Sequence, residues 1–127
     1  AYDVELIDRA DNTWLVVLQQ TVHHMQNFHP GEKRTCGILV SPAVMGDLQA
    51  VMDTTILDRT VLDAAVSLVQ DAKGLEFDYV IIADPVGMVE ASPQGLNDLF
   101  VAMTRATQAL AIVHDGAVPY CLSDLVE

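Results

Sequence analysis

Residues 65–83 read AVSLVQDAKGLEFDYVIIA, and this stretch decides which fold the chain adopts. Its two apolar segments, Ala65 to Gln70 and Tyr79 to Ala83, have the composition of buried strands. The segment Lys73-Gly74-Leu75-Glu76-Phe77-Asp78 lies between them, ending the first strand and opening the second. We therefore expect Lys73 and Glu76 to lie at the carboxyl end of the first strand.

A second string, LFVAMTRAT at residues 99–107, places Arg105 27 residues after Asp78. The pattern predicts a helix that starts at Ser92-Pro93 and has one apolar face, formed by Leu96, Leu99, Phe100 and Met103. At 100° per residue Arg105 then lies opposite that face and points away from the core. A lysine, a glycine, a carboxylate and an arginine at the ends of neighbouring elements suit a polyphosphate, because glycine admits close backbone approach and cations balance the charge.

The rest of the chain alternates predicted strands and helices. Strands are predicted at 4–7, 35–40 and 110–113, and helices at 12–27, capped by Asn12, and after Ser41-Pro42. Residues 29–33 are expected to form a turn, residues 54–62 an irregular segment, and residues 119–125 a closing helical turn. This alternation predicts an α/β fold with a mostly parallel sheet flanked by helices. Such sheets bind ligands beyond the carboxyl ends of their strands, where we expect the Lys73 loop to lie.

Composition indicates one globular domain over residues 1–127, since 51% of the residues are apolar and 19% are charged. The net charge is −12, from 18 acidic and six basic residues. Because so acidic a surface repels a phosphate backbone, we expect the chain by itself to bind DNA poorly.

The sequence also indicates a compartment. The apolar runs are only a few residues long, which predicts no membrane span, and the first residues carry no basic region followed by an apolar stretch, so no signal peptide is visible. Cys36 falls in a predicted strand and Cys121 is the second cysteine, so a reduced core thiol at Cys36 is favoured over a disulfide. We predict a cytoplasmic protein without a membrane partner.

The two strings resemble motifs of the superfamily 1 DNA helicases of the UvrD/Rep type. Residues 72–77 resemble motif V and residues 99–107 resemble motif VI, both of which belong to the second RecA-like motor domain of that family. Residues 78–85 and 95–99 are most similar to the HelD or helicase IV-like branch. The resemblance is close over residues 64–114 and implies that residues 1–127 are the C-terminal portion of the second RecA-like domain.

The resemblance implies roles for individual residues. Arg105 matches the arginine finger that reaches the γ-phosphate of ATP held by the first motor domain. Lys73, Gly74 and Glu76 match the nucleotide side of the cleft, with Glu76 near the ribose. ATP and Mg²⁺ would then be cofactors of the intact protein, and its N-terminal helicase domain and DNA would be partners. The residues alone leave open a surface Arg105 paired with a carboxylate and a solvated Lys73.

One departure from the family pattern concerns DNA. Members of the UvrD type usually carry Thr-Leu-His just before motif V, and that histidine contacts the DNA strand. Here these places hold Leu68, Val69 and Gln70. Gln70 can still donate a hydrogen bond to a phosphate or a base, so it is the candidate DNA-binding residue. The loss of both Thr and His favours a HelD-like relative, for which the resemblance implies RNA polymerase as a partner.

Two motifs of a complete ATPase are missing from the sequence. No G-x-x-x-x-G-K-[ST] occurs, and no predicted strand ends in an Asp-Glu pair that would hold magnesium. We therefore expect the chain alone neither to bind a cofactor nor to hydrolyse ATP. Two other functions stay open, namely a non-hydrolysing protein-interaction module and part of a RecB-like helicase–nuclease.

Three further groups are assigned structural roles. His23 and His24 point to different sides of a predicted helix, and His29 adds no complete ligand set, so no metal site is expected. Ser41 is expected to cap a helix, because no histidine or acid accompanies it at the spacing of a nucleophile. Asp84, followed by proline, is expected to terminate a strand.

Overall fold

The structure is a computed structural model that describes residues 3–27, 35–52, 65–72, 74–116 and 118–119. Lys73 and Cys121 lie outside the described residues, and so do the segments predicted as a turn, as an irregular stretch and, for the most part, as a closing helical turn. Within the described part of the chain, no helix combines the length and the apolar character needed to cross a membrane.

The described strands form one sheet of five strands, all of them paired in parallel. The strands are β1 (Asp3–Asp8), β2 (Cys36–Val40), β3 (Ala65–Leu68), β4 (Phe77–Ala83) and β5 (Ala106–His114). Their order across the sheet is β1-β5-β4-β2-β3. The inner strands are almost continuously apolar and buried, as expected for parallel strands covered on both faces. The predicted α/β fold with a mostly parallel sheet flanked by helices is confirmed.

Four helices connect the described strands, namely α1 (Trp14–Gln26), α2 (Pro42–Met52), α3 (Pro85–Glu90) and α4 (Gly95–Met103). The predicted cap of α1 was wrong by one residue, because the extended backbone of Thr13 lets its hydroxyl accept from the N–H of Val16 at 3.3 Å. The predicted start of α2 is confirmed, with Pro42 first and the Ser41 hydroxyl accepting from the Val44 N–H at 3.2 Å.

The helices cover opposite faces of the sheet. α1 and α2 pack on one face, through a core that includes Leu18, Val22, Val44, Leu48, Tyr79 and Ile81. α3, α4 and the turn after β3 pack on the other, through a core that includes Val69, Val80, Ile82, Met88, Leu99 and Ile112. Both faces of the central strands are therefore buried, which fixes the sheet in the middle layer of the domain.

The buried face of α4 differs from the prediction. Leu99 is fully buried as expected, but Leu96 and Phe100 are 45% and 47% exposed. The buried neighbours of Leu99 are Gly95 and Ala102 instead. A Cβ at Gly95 would lie 2.1 Å from the carbonyl oxygen of Val89, so α4 approaches the end of α3 too closely for a larger residue there. Because of this close approach, the side of α4 that carries Gly95 and Ala102 faces the core.

The connection from β3 to β4 is unusually compact for a parallel crossover. It consists of a 3₁₀ turn at Val69–Ala72 and the short segment that follows, whereas such connections usually contain an α-helix. Val40 of β2 is in register with both Leu68 and Ala83, so β3 ends level with the end of β4. The chain must therefore run back along the whole sheet before β4 begins.

Candidate functional site

Arg105 and Glu76 lie beside each other in the fold, at the amino ends of β5 and β4. The first residues of these strands, Phe77 and Ala106, are paired, and the Phe77 N–H donates to the Arg105 carbonyl at 2.9 Å. The predicted proximity of the two sequence strings is confirmed. The predicted position beyond the carboxyl ends was wrong for residues 74–76, because the connection after β3 crosses the sheet to the opposite edge.

Arg105 lies in a turn and not on a helix. α4 ends at Met103, with Thr104 as its C-cap, so the helical periodicity used to predict the orientation of Arg105 does not extend to this residue. Its side chain is half-buried and turns towards the segment before β4. Nη1 lies 3.4 Å from the carbonyl oxygen of Leu75 and Nη2 lies 3.4 Å from Oγ1 of Thr104. Both distances are long for hydrogen bonds, so the guanidinium is held weakly.

One nitrogen of this guanidinium has no hydrogen-bond partner among the residues that the structure describes. Nε of Arg105 is buried and forms no hydrogen bond within the described part of the chain. A buried donor without a partner is rare, because its desolvation is uncompensated. The Arg105 side chain therefore has hydrogen-bonding capacity that the described fold leaves unused.

The segment Gly74–Glu76 forms the other half of this edge. Gly74 has φ of +83°, a left-handed conformation that L side chains rarely adopt, and its Cα faces open space. Leu75 is 51% exposed and Glu76 is exposed as well, and Glu76 forms no ion pair with any residue that the structure describes. The exposed backbone at Gly74 lies next to the weakly held guanidinium of Arg105, and together they can accommodate an anionic ligand.

Gln70 lies at the opposite edge of the sheet. It is an exposed residue of the 3₁₀ turn that follows the carboxyl end of β3, where it lines a cavity of about 170 Å³. The structure therefore does not bring Gln70 together with Arg105. The candidate DNA contact and the candidate nucleotide contact lie at opposite ends of the strands.

Two carboxylates have structural roles that the sequence prediction missed. Asp84 is the N-cap of α3, with φ of 65°, and its carboxylate accepts from the Gly87 N–H at 3.1 Å and from the Ser41 hydroxyl at 2.7 Å. An Asp-Pro pair is a signal for a helix start, so the cap could have been found from the sequence. Asp78 accepts from the Thr35 N–H at 2.9 Å, which ties β4 to the start of β2.

A larger cavity, of about 400 Å³, lies beside the amino end of α1. Arg9, Trp14 and Asp47 are among the residues that line it. The guanidinium of Arg9 lies over the Trp14 ring, 4.8 Å from its centroid, and Nη1 donates to the Asn12 carbonyl at 2.8 Å. A cation–π contact and a hydrogen bond thus hold the Arg9 guanidinium, although its Nε, like that of Arg105, is buried without a hydrogen-bond partner among the described residues.

The other titratable groups that the structure describes form no metal-binding arrangement. His24 lies on α1 with Nε2 3.1 Å from a carboxylate oxygen of Glu5. Among the described residues, no group of three or more His, Cys, Asp or Glu side chains is arranged to hold a metal ion. Cys36 is a free thiol, and burial raises its pKa from 9.0 to about 12.

Comparison with protein families gives one match to this part of the chain. Residues 63–113 match the model of the UvrD-like helicase C-terminal domain. The matched segment includes β3, β4, α3, α4 and all but the last residue of β5. It therefore contains both Arg105 and the segment Gly74–Glu76. A search of the curated proteins found no match.

Comparison with solved structures supports the fold. The crystal structure described as the C-terminal domain of a possible DNA helicase from Lactobacillus plantarum WCFS1 aligns with a TM-score of 0.61 and 19% sequence identity. The alignment covers 96% of this chain and 78% of that chain. This similarity shows that the two domains share their fold. No finding distinguishes a HelD-like branch, which stays a prediction.

Proposed function

We propose that this chain is part of the second motor domain of an ATP-dependent DNA helicase or translocase, and that it presents Arg105 to a nucleotide held by another domain. The match of residues 63–113 to the UvrD-like helicase C-terminal domain supports this proposal. The observation that carries it is the contact of Arg105 Nη1 with the Leu75 carbonyl, which joins two separate strings at one edge of the sheet.

In this proposal Arg105 stabilises negative charge on the transferring phosphoryl group. Its two hydrogen bonds of 3.4 Å are weak, so exchanging them for charge-assisted bonds to a phosphate is favourable. Lys73 is proposed as a second cation on the same side of the cleft. Gly74 would allow the backbone to approach the nucleotide, and Glu76 would contact the ribose.

ATP and Mg²⁺ are the proposed cofactors of the intact protein. The exposed Gly74–Glu76 segment and the buried Nε of Arg105, which has no partner in the described part of the chain, fit an anionic group at this edge. ATP would supply the phosphoanhydride bond whose cleavage drives movement. The sequence contains no phosphate-binding P-loop, so the N-terminal helicase domain is the partner that this proposal requires.

DNA is the proposed substrate of the motor, with Gln70 as the candidate contact. The acidic composition and the carboxylate of Asp98 in the same cavity weigh against a phosphate close to Gln70. A protein-interaction role, with RNA polymerase as the partner of a HelD-like protein, is therefore the second candidate function. Both roles are proposed for the cytoplasm. No observation in the described part of the structure supports the alternative of a RecB-like helicase–nuclease.

Replacement of Arg105 by alanine in the protein that joins this domain to its P-loop partner tests the proposal. We expect ATP turnover to fall at least about 100-fold, because an arginine finger acts mainly in the transition state, while nucleotide affinity changes much less. Arg9→Ala is the matched control, since Arg9 lies at the carboxyl end of β1, and should retain most of the turnover. Wild-type turnover in the Arg105→Ala protein would contradict the proposal.

A further inference from the structure

The cavity beside Gln70 lies where the carboxyl ends of β2 and β3 meet the turn between α3 and α4. Its apolar wall includes Leu68, Val69 and Met88, and its polar residues are Gln70, Ser92 and Asp98. Its volume of about 170 Å³ accommodates one long side chain.

The topology explains why an opening lies here. The chain leaves β2 towards one face of the sheet through α2, and leaves the neighbouring β4 towards the other face through α3. A crevice is expected at such a switch point in an open α/β sheet. The hydrogen bond between Ser41 and Asp84 closes that crevice between β2 and β4. The remaining open space lies on the other side of β2, next to β3.

The polar residues of this cavity offer hydrogen-bond acceptors. Asp98 contributes a carboxylate that pairs with no cation that the structure describes, and Gln70 contributes an amide oxygen. Two further carboxylates, Asp71 and Glu90, are exposed next to residues that line the cavity. The described arginines, Arg9 and Arg105, lie elsewhere in the fold. The cavity therefore combines apolar walls with a carboxylate and an amide oxygen that can accept hydrogen bonds.

We propose that this cavity binds an arginine side chain of a protein partner. The guanidinium has five N–H donors, which match the acceptors of Asp98, Gln70 and Ser92, and the aliphatic stem would pack on the apolar wall. A phosphate is disfavoured because it would lie close to Asp98 in a chain of net charge −12. A desolvated arginine in a pocket is a common anchor of protein interfaces. The inference does not rest on the proposed motor function, and at Gln70 it replaces DNA by a protein partner as the proposed ligand.

Chemical-shift titration of the isotope-labelled protein with the peptide acetyl-Gly-Arg-Gly-amide tests the proposal. The reference peptide carries citrulline, a neutral isostere, in place of arginine. We expect the backbone signals of residues 70, 92 and 98 to move, and the arginine peptide to bind about tenfold more tightly than the citrulline peptide. Equal affinity for the two peptides, or shifts only at other residues, would overturn the proposal.

Substitutions at the cavity provide a second test. Asp98→Asn removes one charge and should weaken binding of the arginine peptide about tenfold, whereas the matched control Asp11→Asn, in an exposed turn, should change it less than about twofold. Gln70→Ala alters an exposed residue and should weaken binding about threefold with the fold retained. Equal effects of Asp98→Asn and Asp11→Asn, or no effect of Gln70→Ala, would reject an arginine site.

Competition with nucleic acid decides between two classes of partner. A single-stranded deoxyadenosine decamer should leave the signals of residues 70, 92 and 98 unchanged. If the decamer moves these signals and Asp98→Asn strengthens its binding, the cavity is a nucleic-acid site and the proposal is wrong.

Discussion

The buried hydroxyl of Ser41 donates a hydrogen bond of 2.7 Å to the carboxylate of Asp84, and this bond joins the caps of two helices on opposite faces of the sheet. Ser41 also accepts from the N–H of Val44 in α2, and Asp84 accepts from the N–H of Gly87 in α3. The residues are 43 positions apart in the chain. The start of each helix therefore depends on the other.

Ser41→Ala should lower the free energy of unfolding by about 1–3 kcal/mol. The change removes a helix cap and leaves an oxygen of the Asp84 carboxylate without its partner. Urea denaturation followed by circular dichroism measures the loss. Ser92→Ala is the control, because the Ser92 hydroxyl accepts a hydrogen bond from the Gln94 N–H at an exposed position and should contribute less. Equal losses would show that the bond to Asp84 adds nothing.

Gly37→Ala should destabilise the sheet. A Cβ at Gly37 would lie 2.6 Å from a ring carbon of Phe77, so the ring must shift and disturb the first pair of β4 and β5. We expect a loss of about 1–3 kcal/mol in thermal or urea unfolding. Gly46→Ala is the matched control, since a Cβ there meets nothing within 4 Å in α2, and should stabilise by up to about 1 kcal/mol. Stabilisation by both changes would contradict the packing described for Phe77.

On the proposed function, Gly74→Ala should reduce ATP turnover of the protein that joins this domain to a P-loop partner more than it reduces stability. Alanine at φ of +83° costs about 1 kcal/mol and displaces the backbone next to Arg105. Gly116→Ala imposes a similar strain, at φ of +103°, in an exposed turn after β5, so it is the matched control. Steady-state turnover and melting temperature are measured for both. Equal turnover in the two variants would argue against close approach of a nucleotide to Gly74.

The Cys36 thiol should react slowly with iodoacetamide in a protein that carries Cys121→Ser. Burial raises the pKa of Cys36 from 9.0 to about 12, so the thiolate fraction at pH 8 is roughly a thousandfold below that of an unhindered thiol. The alkylation rate, followed by mass spectrometry, should rise about tenfold per pH unit beyond pH 9. A plateau near pH 9 in the folded protein would contradict the burial, whereas the protein unfolded in urea should show that plateau.

The raised pKa of Cys36 also makes the free energy of unfolding depend on pH. In the unfolded chain the thiol ionises near 9.0, but in the folded protein it ionises only near 12. The contribution of the protonated thiol is fully present below pH 9 and is lost as the pH rises towards 12. The free energy of unfolding should therefore decrease with pH in that range, and Cys36→Ala should reduce the slope. An unchanged slope would assign the decrease to other groups.

The strands were predictable because a strand that is buried on both faces is a continuous run of apolar residues. The apolar runs that predict β2 and β4 need no information from distant residues. α3 was missed because it has only six residues, although the pair Asp84-Pro85 marks its start; only the hydrogen bond between Asp84 and the distant Ser41 leaves no local signal in the sequence. The inward face of α4 depends on the close approach of Gly95 to the end of α3, which helical periodicity does not encode.

The candidate site was predictable in part. The alternation of strands and helices predicted that Arg105 and the Gly74–Glu76 segment lie at the ends of neighbouring elements, and the pairing of Phe77 with Ala106 confirms that prediction. The end of the strands at which the candidate site lies was not predictable from the sequence pattern. It depends on a 3₁₀ turn replacing a full crossover helix, and this replacement lets the chain return to the amino ends within a few residues. The nucleotide role of Lys73 stays a prediction.

The connection that follows β3 joins the two ends of the sheet through one short stretch of backbone. Gln70 lies in its 3₁₀ turn, at the carboxyl end of β3, and Leu75 lies five residues later, just before the amino end of β4. The carbonyl of Leu75 accepts a hydrogen bond from Arg105 Nη1 at 3.4 Å. The residues proposed for partner binding and for nucleotide binding are therefore neighbours in sequence, although they lie at opposite ends of the strands.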